Sequence, residues 1–488
     1  MAEKSLYKNT IFKIILNLFK IILPVLIGPY VMRVLVPDQV GSLNYAQSIF
    51  NYFFMFGTFG ILQYGVREIS KIKNDKEQLE SKFTSLFIIT LITNIVALII
   101  FVLILYFTVR GTEVYWICMI LNIQFIFNAF QIDWMNEALE NFGFVTIKTV
   151  VVRLIYFLAI ILLVKGPEDF KTYVYLNSLA TVATSVISFI YIKRKVKFSF
   201  KNIKILEHIW PMILVVILSN ANVLYTQSDR YMLGYFSGAV VLSYYVVGQG
   251  IMSVLNTFMM SVIQAIAPRL HAYVEKDDKT EYINLLNKVT KIYFMLIFPA
   301  VMGMILFSSE LLKLYAGSQY TEGFGVLACF GIYMVTLAFD EIAGNQVIYV
   351  YKQEKKQVKI LFIGGIINVI LNALLIKFGY FSVNTSILST GIANIVVIIY
   401  QYLYIKNKLK LKINLYSREI YRYLYVSLIF IPVVYIIKKM IDVPFIQLMI
   451  SSIICSVIYF GVLFIIKDES FLVIVRPILA RVKSRLGK

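Results

Sequence analysis

Residues 11–36 read IFKIILNLFKIILPVLIGPYVMRVLV, and this stretch decides the fold class. It is long enough to cross a bilayer, which takes roughly 20 predominantly apolar residues. It is not purely apolar. Lys13, Asn17, Lys20 and Pro24 recur at i, i+4, i+7 and i+11, which is one face of a helix. A lysine in mid-span costs at least about 2.5–3.5 kcal/mol on insertion scales unless it faces a polar interior. The stretch therefore reads as a helix lining a wet cavity. The alternative is that Lys20 snorkels or meets a buried carboxylate. Arg33 stands near the far end on another face of an ideal helix, and Pro24 and Pro29 kink the helix between them.

The rest of the chain is of the same kind. Of 488 residues, 59% are hydrophobic and only 15% charged, against near 25% charged in an average soluble protein. Mean hydropathy is +0.78. This is the composition of an all-α polytopic membrane protein. The first apolar stretch is too long for a signal-peptide core, is interrupted by Lys20 and is followed by no small-residue cleavage site, so it reads as a true span. The net charge of +20 would suggest nucleic acid on a soluble chain. Here the basic residues sit between spans, as the positive-inside pattern requires, and nucleic acid is excluded as a partner. Cys118, Cys329 and Cys455 all fall in apolar stretches and imply no disulfide framework. No metal-ligand cluster or nucleophile–base motif appears. The sequence therefore points to no enzyme, no cofactor and no metal.

About fourteen spans are expected, near 11–35, 44–64, 84–108, 114–134, 147–164, 172–192, 209–228, 241–264, 292–312, 324–348, 359–377, 384–405, 422–438 and 445–466. The connectors alternate. Those at 37–43, 109–113, 165–170, 317–323 and 442–444 are short and poor in charge. Those at 67–82, 193–204, 352–359 and 406–412 are basic. The basic set faces the cytoplasm, which puts both termini there. The tail, 467–488, mixes apolar and basic residues. It suits either an amphipathic helix on the anionic inner leaflet or an ordinary charged tail.

The longest basic connector between spans, 193–208, follows span six. This divides the chain into an N-terminal six-helix lobe (1–192), a basic cytoplasmic linker (193–208), a C-terminal six-helix lobe (209–405), two additional helices (406–466) and the tail. Six spans return the chain to the same side, so the lobes would be parallel repeats. Polar stripes run at helical spacing: Asn44, Gln47 and Asn51; Gln124, Asn128 and Gln131; Ser219, Asn222, Thr226 and Asp229; Gln249, Ser253 and Asn256; Asn368 and Asn372. A single stripe is interhelical glue more often than a substrate path. Five on matching spans point to a shared aqueous cavity. Charges within spans fall into cations (Lys20, Arg33, Arg153, Arg230) and anions (Asp133, Asp229, Asp340, Glu341). Each alone reads equally as a structural ion pair or headgroup anchor. Together the cations suggest an anionic group such as a phosphate.

Gly28-Pro29-Tyr30, Arg33-Val34-Leu35, Val40-Gly41, Tyr45, Ser48-Ile49 and Gly65-Val66-Arg67-Glu68 resemble the first spans of bacterial polysaccharide-unit flippases. Asp133-Trp134 with Leu139-Glu140 resembles their span-four/five connector, and Asp229-Arg230-Tyr231-Met232-Leu233-Gly234 and Pro268-Arg269 resemble their second lobe. Leu242-Ser243-Tyr244-Tyr245 departs from the family's Val-Gly-x-Tyr opening of span eight. The family belongs to the multidrug/oligosaccharidyl-lipid/polysaccharide exporter superfamily. The resemblance implies a MATE-like, V-shaped pair of six-helix lobes in the bacterial plasma (inner) membrane. It also implies transfer of undecaprenyl-pyrophosphate-linked sugar repeat units from the inner to the outer leaflet, for O-antigen or capsule assembly, beside polysaccharide polymerase machinery.

On that footing Lys20, Arg33, Arg153 and Arg230 attract the pyrophosphate. Asn17, Gln47, Asn51, Gln124, Asn128, Asn222, Gln249, Asn256 and Asn372 bond the sugars. Asp133, Asp229, Asp340 or Glu341 carries a coupling proton or sodium ion while the lobes rock. Two alternatives of the same fold stay open, a cation-coupled multidrug antiporter and a lipid-II flippase. A polymerase or ligase would need a sizeable outer loop, and every expected outer connector is short.

Overall fold

Long apolar runs can satisfy their backbone inside lipid only as helices or closed barrels, and here they are helices. The computed structural model describes residues 6–476, without the side chains of residues 6–11, 13–14, 17, 20–21, 218 and 221–226, and its described regular structure is entirely helical. Eleven described helices are long and apolar enough to cross a membrane. They coincide with expected spans three to six and eight to fourteen. Two shorter apolar helices, Ile22–Val34 and Ile205–Ile217, lie where spans one and seven were expected. The chain is a multi-pass membrane protein. It forms two compact units, Met1–Ser243 and Tyr244–Lys488.

The first unit holds α1 (Leu6–Val34), α2 (Pro37–Thr58), α3 (Ile61–Ser70), α4 (Lys76–Thr108), α5 (Glu113–Asn128), α6 (Asp133–Ala138), α7 (Phe142–Leu163), α8 (Phe170–Lys193), α9 (Ile205–Ser219), α10 (Ala221–Phe236) and the start of α11 (Ala239–Gln264). Several boundaries differ from the expected spans for local reasons. The 37–43 connector is the first turns of α2, because Pro37 fits the first helical turn, where no N–H partner is needed. The expected span 44–64 is two helices, because Phe59 (φ 47°) and Gly60 (φ 67°) both adopt the left-handed conformation and end α2. Most of 67–82 is helical, with the Asp75 carboxylate capping α4 by accepting from the Gln78 N–H at 3.1 Å. Span seven is broken at Asn220 into α9 and α10, so Asp229 and Arg230 lie inside α10 rather than closing a span.

The basic connector 193–208 lies inside the first unit, with α9 packed on α3 and α4, and α10 on α2. Its Phe198 stacks on Phe83, ring centroids 5.4 Å apart. That pair joins an aromatic core with Phe87, Phe130, Phe189 and Trp134.

The second unit continues through α12 (Ala267–Glu275), α13 (Lys279–Leu306), α14 (Ser308–Ala316), α15 (Phe324–Asp340), α16 (Glu354–Lys377), α17 (Val383–Tyr404), α18 (Arg418–Ser427), α19 (Phe430–Met440) and α20 (Pro444–Ile465). A π-helical stretch, Glu341–Tyr349, extends α15; such bulges often mark functional positions. The last helices are fastened to this unit. The Tyr459 hydroxyl donates to the Met295 carbonyl at 2.8 Å, and Lys438 donates to the Leu306 carbonyl at 2.8 Å and pairs with Glu310 at 2.7 Å.

Candidate functional site

Arg153 sits midway along α7, where lipid would reject it, and it lines a cavity instead. The cavity holds about 380 Å³ and is framed by α1, α7 and α8. Pro24 and Gly28 of α1 form one wall. Tyr156 lies beside Arg153, and Tyr173, Asn177, Thr181 and Thr184 of α8 face them. The Tyr156 and Tyr173 hydroxyls bond each other. No ion pair to Arg153 occurs among the described residues. A half-buried guanidinium ringed by hydroxyls and an amide can meet an anion bidentately and hydrogen-bond a polyol beside it.

A second polar group lies where α2 meets α10. Asn51 donates to Gln227 at 3.4 Å, the Tyr52 and Ser228 hydroxyls are 2.9 Å apart, and Arg230 donates to Asn44 at 3.5 Å. Asp229 is buried here. The two helices approach closely at Gly234 of α10, where a Cβ would stand 2.4 Å from the Tyr45 ring, and α2 approaches the start of α11 at Gly41, where a Cβ would stand 1.8 Å from the Ala239 carbonyl oxygen. Gln47 is half-buried on the same helix.

Asp133 is not a lone carboxylate. It stands at the start of α6, within the span expected over 114–134 but past the break that ends α5 at Asn128, and holds Lys148 of α7 at 2.6 and 2.7 Å. Ser188 of α8 donates to it at 2.5 Å. The ammonium also reaches the Thr184 carbonyl at 3.4 Å. Thr184 lines the Arg153 cavity, while Asp133 lines a second pocket of about 240 Å³ with Gln63, Asn128, Gln131 and Asn220. The ion pair thus stands between two polar cavities.

Several stripe residues are spent on helix–helix bonds. Asn128 donates to Asn94 at 3.0 Å and Gln124 to Ser178 at 3.3 Å. In the second unit Asn368 donates to Thr390 at 2.8 Å, and Asn372 accepts from Ser389 at 2.5 Å. Asp340 accepts from Gln401 at 2.6 Å, and Gln401 also donates to Gln357 at 3.2 Å. Glu341, on the π-helical stretch, accepts from Asn345 at 2.5 Å and Gln346 at 2.9 Å. Gln249 and Asn256 are half-buried on α11.

The four cations named from the sequence are not gathered in one described place. Arg153 lines the α1–α7–α8 cavity, Arg230 lies in the α2–α10 seam, and Arg33 is exposed at the end of α1. The side chains of Lys20, Asn17 and Asn222 lie outside the described residues. Sequence reasoning missed Lys148, Tyr156, Tyr173, Gln357 and Gln401. Tyr156, three residues after Arg153 on the same helix face, was the available signal.

With this geometry in hand, relatives can be weighed. The family model described as "Polysaccharide biosynthesis protein" matches residues 6–274. The chain belongs to that polysaccharide biosynthesis family. This polysaccharide biosynthesis protein is 22% identical over 382 residues to a protein of Escherichia coli (strain K12) named "Putative O-antigen transporter", across 75% of this chain and 89% of that one. Its fold is that of "Lipid II flippase MurJ, inward closed conformation", with TM-score 0.71 at 16% identity over 96% of this chain and all of that one. An inward-facing multidrug resistance MATE family transporter of the MOP superfamily matches with TM-score 0.60 at 13% identity, over 79% and 97%. These relatives are described as transporters or flippases rather than enzymes.

Proposed function

We propose that this protein flips polyprenyl-pyrophosphate-linked oligosaccharide units from the inner to the outer leaflet of the bacterial plasma membrane, for O-antigen or capsule assembly. The observation that carries the reading is Arg153. A mid-span cation is kept in a cavity lined by tyrosine, threonine and asparagine, on a chain of the polysaccharide biosynthesis family. The guanidinium meets the pyrophosphate, and the hydroxyls and amides beside it bond the first sugar. The lipid tail stays in the bilayer. Arg230, Lys20 and Arg33 serve the same anion along its route.

In this reading the chain has fourteen spans, as two parallel six-helix repeats (1–192 and 209–405) with two further helices and a cytoplasmic tail, and both termini are cytoplasmic. Asp340, Glu341 and Asp229 are the candidates for a coupling proton or sodium ion. Asp133 joins them only by releasing Lys148. Polymerase machinery takes the product.

The test is a deletion strain complemented with Arg153→Ala, Arg153→Lys or the native chain at matched expression. Surface polymer is measured alongside lipid-linked units retained inside the cell. Arg153→Ala is expected to lower polymer at least about tenfold with retained intermediates, and Arg153→Lys to restore part of it, because a point charge replaces a bidentate fork. Native-level polymer with Arg153→Ala sinks the assignment.

A further inference from the structure

A cleft of about 650 Å³ opens in the first unit where α3, α4 and α9 meet the basic 193–204 connector. That size lies within the roughly 300–1,000 Å³ of small-molecule sites. Its outer wall is fixed rather than draped. The Ser81 hydroxyl donates to the Lys201 carbonyl at 2.8 Å, and the Ser199, Lys204 and Lys197 N–H groups donate to Thr84, Ser85 and Glu80 at 2.9, 3.3 and 3.3 Å. The connector is thereby sewn along the first turns of α4.

The charges around the cleft largely cancel in place. Lys82 lies 3.5 Å from Glu68, which also holds Lys71 at 2.7 Å, and Lys204 lies 3.0 Å from Glu207. Asp75 is occupied in capping α4. An incoming phosphate would gain little net field here and would have to open these pairs. What remains unspent among the described residues is a mixed set. The Glu77 carboxylate only accepts, the Lys201 ammonium only donates, and the Asn202 amide does both. His208, which also lines the cleft, is buried with its Nδ1 hydrogen-bonded to the Tyr64 hydroxyl at 2.7 Å, which leaves Nε2 as its remaining ring nitrogen. A sugar hydroxyl both donates and accepts, so a ring bearing several of them can satisfy such a set at once.

We infer that this cleft is a saccharide site distinct from the Arg153 cavity, and that it takes a neutral, hydroxyl-rich ring of the oligosaccharide. The inference rests on the reading of the protein as an oligosaccharide carrier. The cleft then checks the sugar beside the basic connector, while the mid-span cation handles the phosphate.

The test uses the full chain in lipid nanodiscs and follows acylation of Lys201 by mass spectrometry, with Lys276 of the second unit as reference. The probes are glucose, galactose, N-acetylglucosamine, N-acetylgalactosamine, rhamnose and fucose at millimolar concentration, with inorganic phosphate as the counter-probe. At least one sugar should slow Lys201 labelling several-fold without touching Lys276, and phosphate should not. In Glu77→Gln/Asn202→Gly the sugar concentration for half-protection should rise about tenfold. Both positions are exposed, and glycine keeps the left-handed backbone of residue 202 (φ 55°) without strain, so a native elution profile is expected. The inference is overturned if no sugar protects, if phosphate protects equally, or if the double variant protects like the native chain. Polymer output separates the two readings. A deletion strain that still makes polymer removes the carrier reading itself. Lost polymer that returns in full with the double variant, with no sugar protection of the native chain, removes only the cleft.

Discussion

Breaking the Asp133–Lys148 pair should destabilise the first unit unequally, according to which partner is removed. The Lys148 side chain is 1% exposed and that of Asp133 20%. Taking one partner from a buried pair costs roughly 3–5 kcal/mol, because a charge is left without compensation in a poor solvent. Asp133→Asn leaves the ammonium with neutral acceptors alone, the new amide oxygen and the Thr184 carbonyl at 3.4 Å, no counter-charge and almost no water, so its cost belongs at the upper end, near 5 kcal/mol. Lys148→Met leaves a carboxylate that still accepts from Ser188 at 2.5 Å and keeps some water, so it belongs near 3 kcal/mol. In Asp133→Asn/Lys148→Met both charges are gone, and an apolar replacement of a buried pair is often neutral. The double variant should therefore be more stable than either single one. The assay is the fraction of full-length protein that stays monodisperse in detergent after heating, read by size exclusion for all four proteins. The expected order of midpoints is native and double variant highest, then Lys148→Met, then Asp133→Asn. If Lys148→Met falls as far as Asp133→Asn, or the double variant is no better than the worse single one, the argument from unequal water access fails.

Gly41→Ala should cost more than Gly234→Ala in the same assay. The first methyl meets a backbone oxygen at 1.8 Å that cannot swing away, and the second meets the Tyr45 side chain at 2.4 Å, a less severe overlap that still requires the whole side chain to shift; overpacking of this kind costs roughly 1–3 kcal/mol. Asp468 is buried, is bonded by Arg422, accepts from the Tyr423 hydroxyl at 3.1 Å and caps the Phe471 N–H at 3.0 Å. Asp468→Ala should accordingly speed proteolysis beyond residue 468 while leaving cleavage elsewhere unchanged. Burial pushes the Glu68 carboxyl up, but Lys71, Lys82 and Arg67 together pull it below the usual glutamate range. A lowered carboxylate stabilises fully above its ordinary value of about 4.3 and loses that contribution as pH falls through the folded value. The midpoint difference between the native chain and Glu68→Gln should thus be constant near neutrality and shrink below about pH 4.

The membrane class was legible because expelling long apolar runs from water is the largest energetic fact about this chain, and it shows as composition. Spans three to six and eight to fourteen followed from length alone. What the sequence hid were interruptions and partners. Nothing in the string Phe59-Gly60 announces two left-handed residues in a row, and Asn220 falls inside the expected span 209–228 with no breaker beside it. Lys148 is the second residue of an expected span, where an interfacial lysine is ordinary. Its partner Asp133, inside span four, reads from the sequence either as a coupling carboxylate or as half of an ion pair whose other member is not identified. Only the turns between α5 and α6 and between α6 and α7 bring the two side chains together. A periodic pattern reports the face of one helix and is silent on which face of the next one meets it.

The α2–α10 seam shows how far such patterns carry. Val40-Gly41, Tyr45 and the run Asp229–Gly234 resemble the flippases only as scattered short strings, yet in the fold they touch. Gly234 lies under Tyr45 and Arg230 bonds Asn44, while Gly41 lies under Ala239 at the adjoining start of α11. In lipid, helices associate through close packing and hydrogen bonds rather than through expulsion from water, so small residues and polar pairs gather where two helices cross. It follows that Arg230 has a structural partner whether or not it meets a ligand, and that loss of transport in Arg230→Ala alone is ambiguous. Comparing Arg230→Ala in the native and Asn44→Ala backgrounds separates the roles. If the seam is its whole function, the second substitution adds little once the first is made. If Arg230 also meets the substrate, its loss still lowers transport in the Asn44→Ala background, at unchanged thermal midpoint.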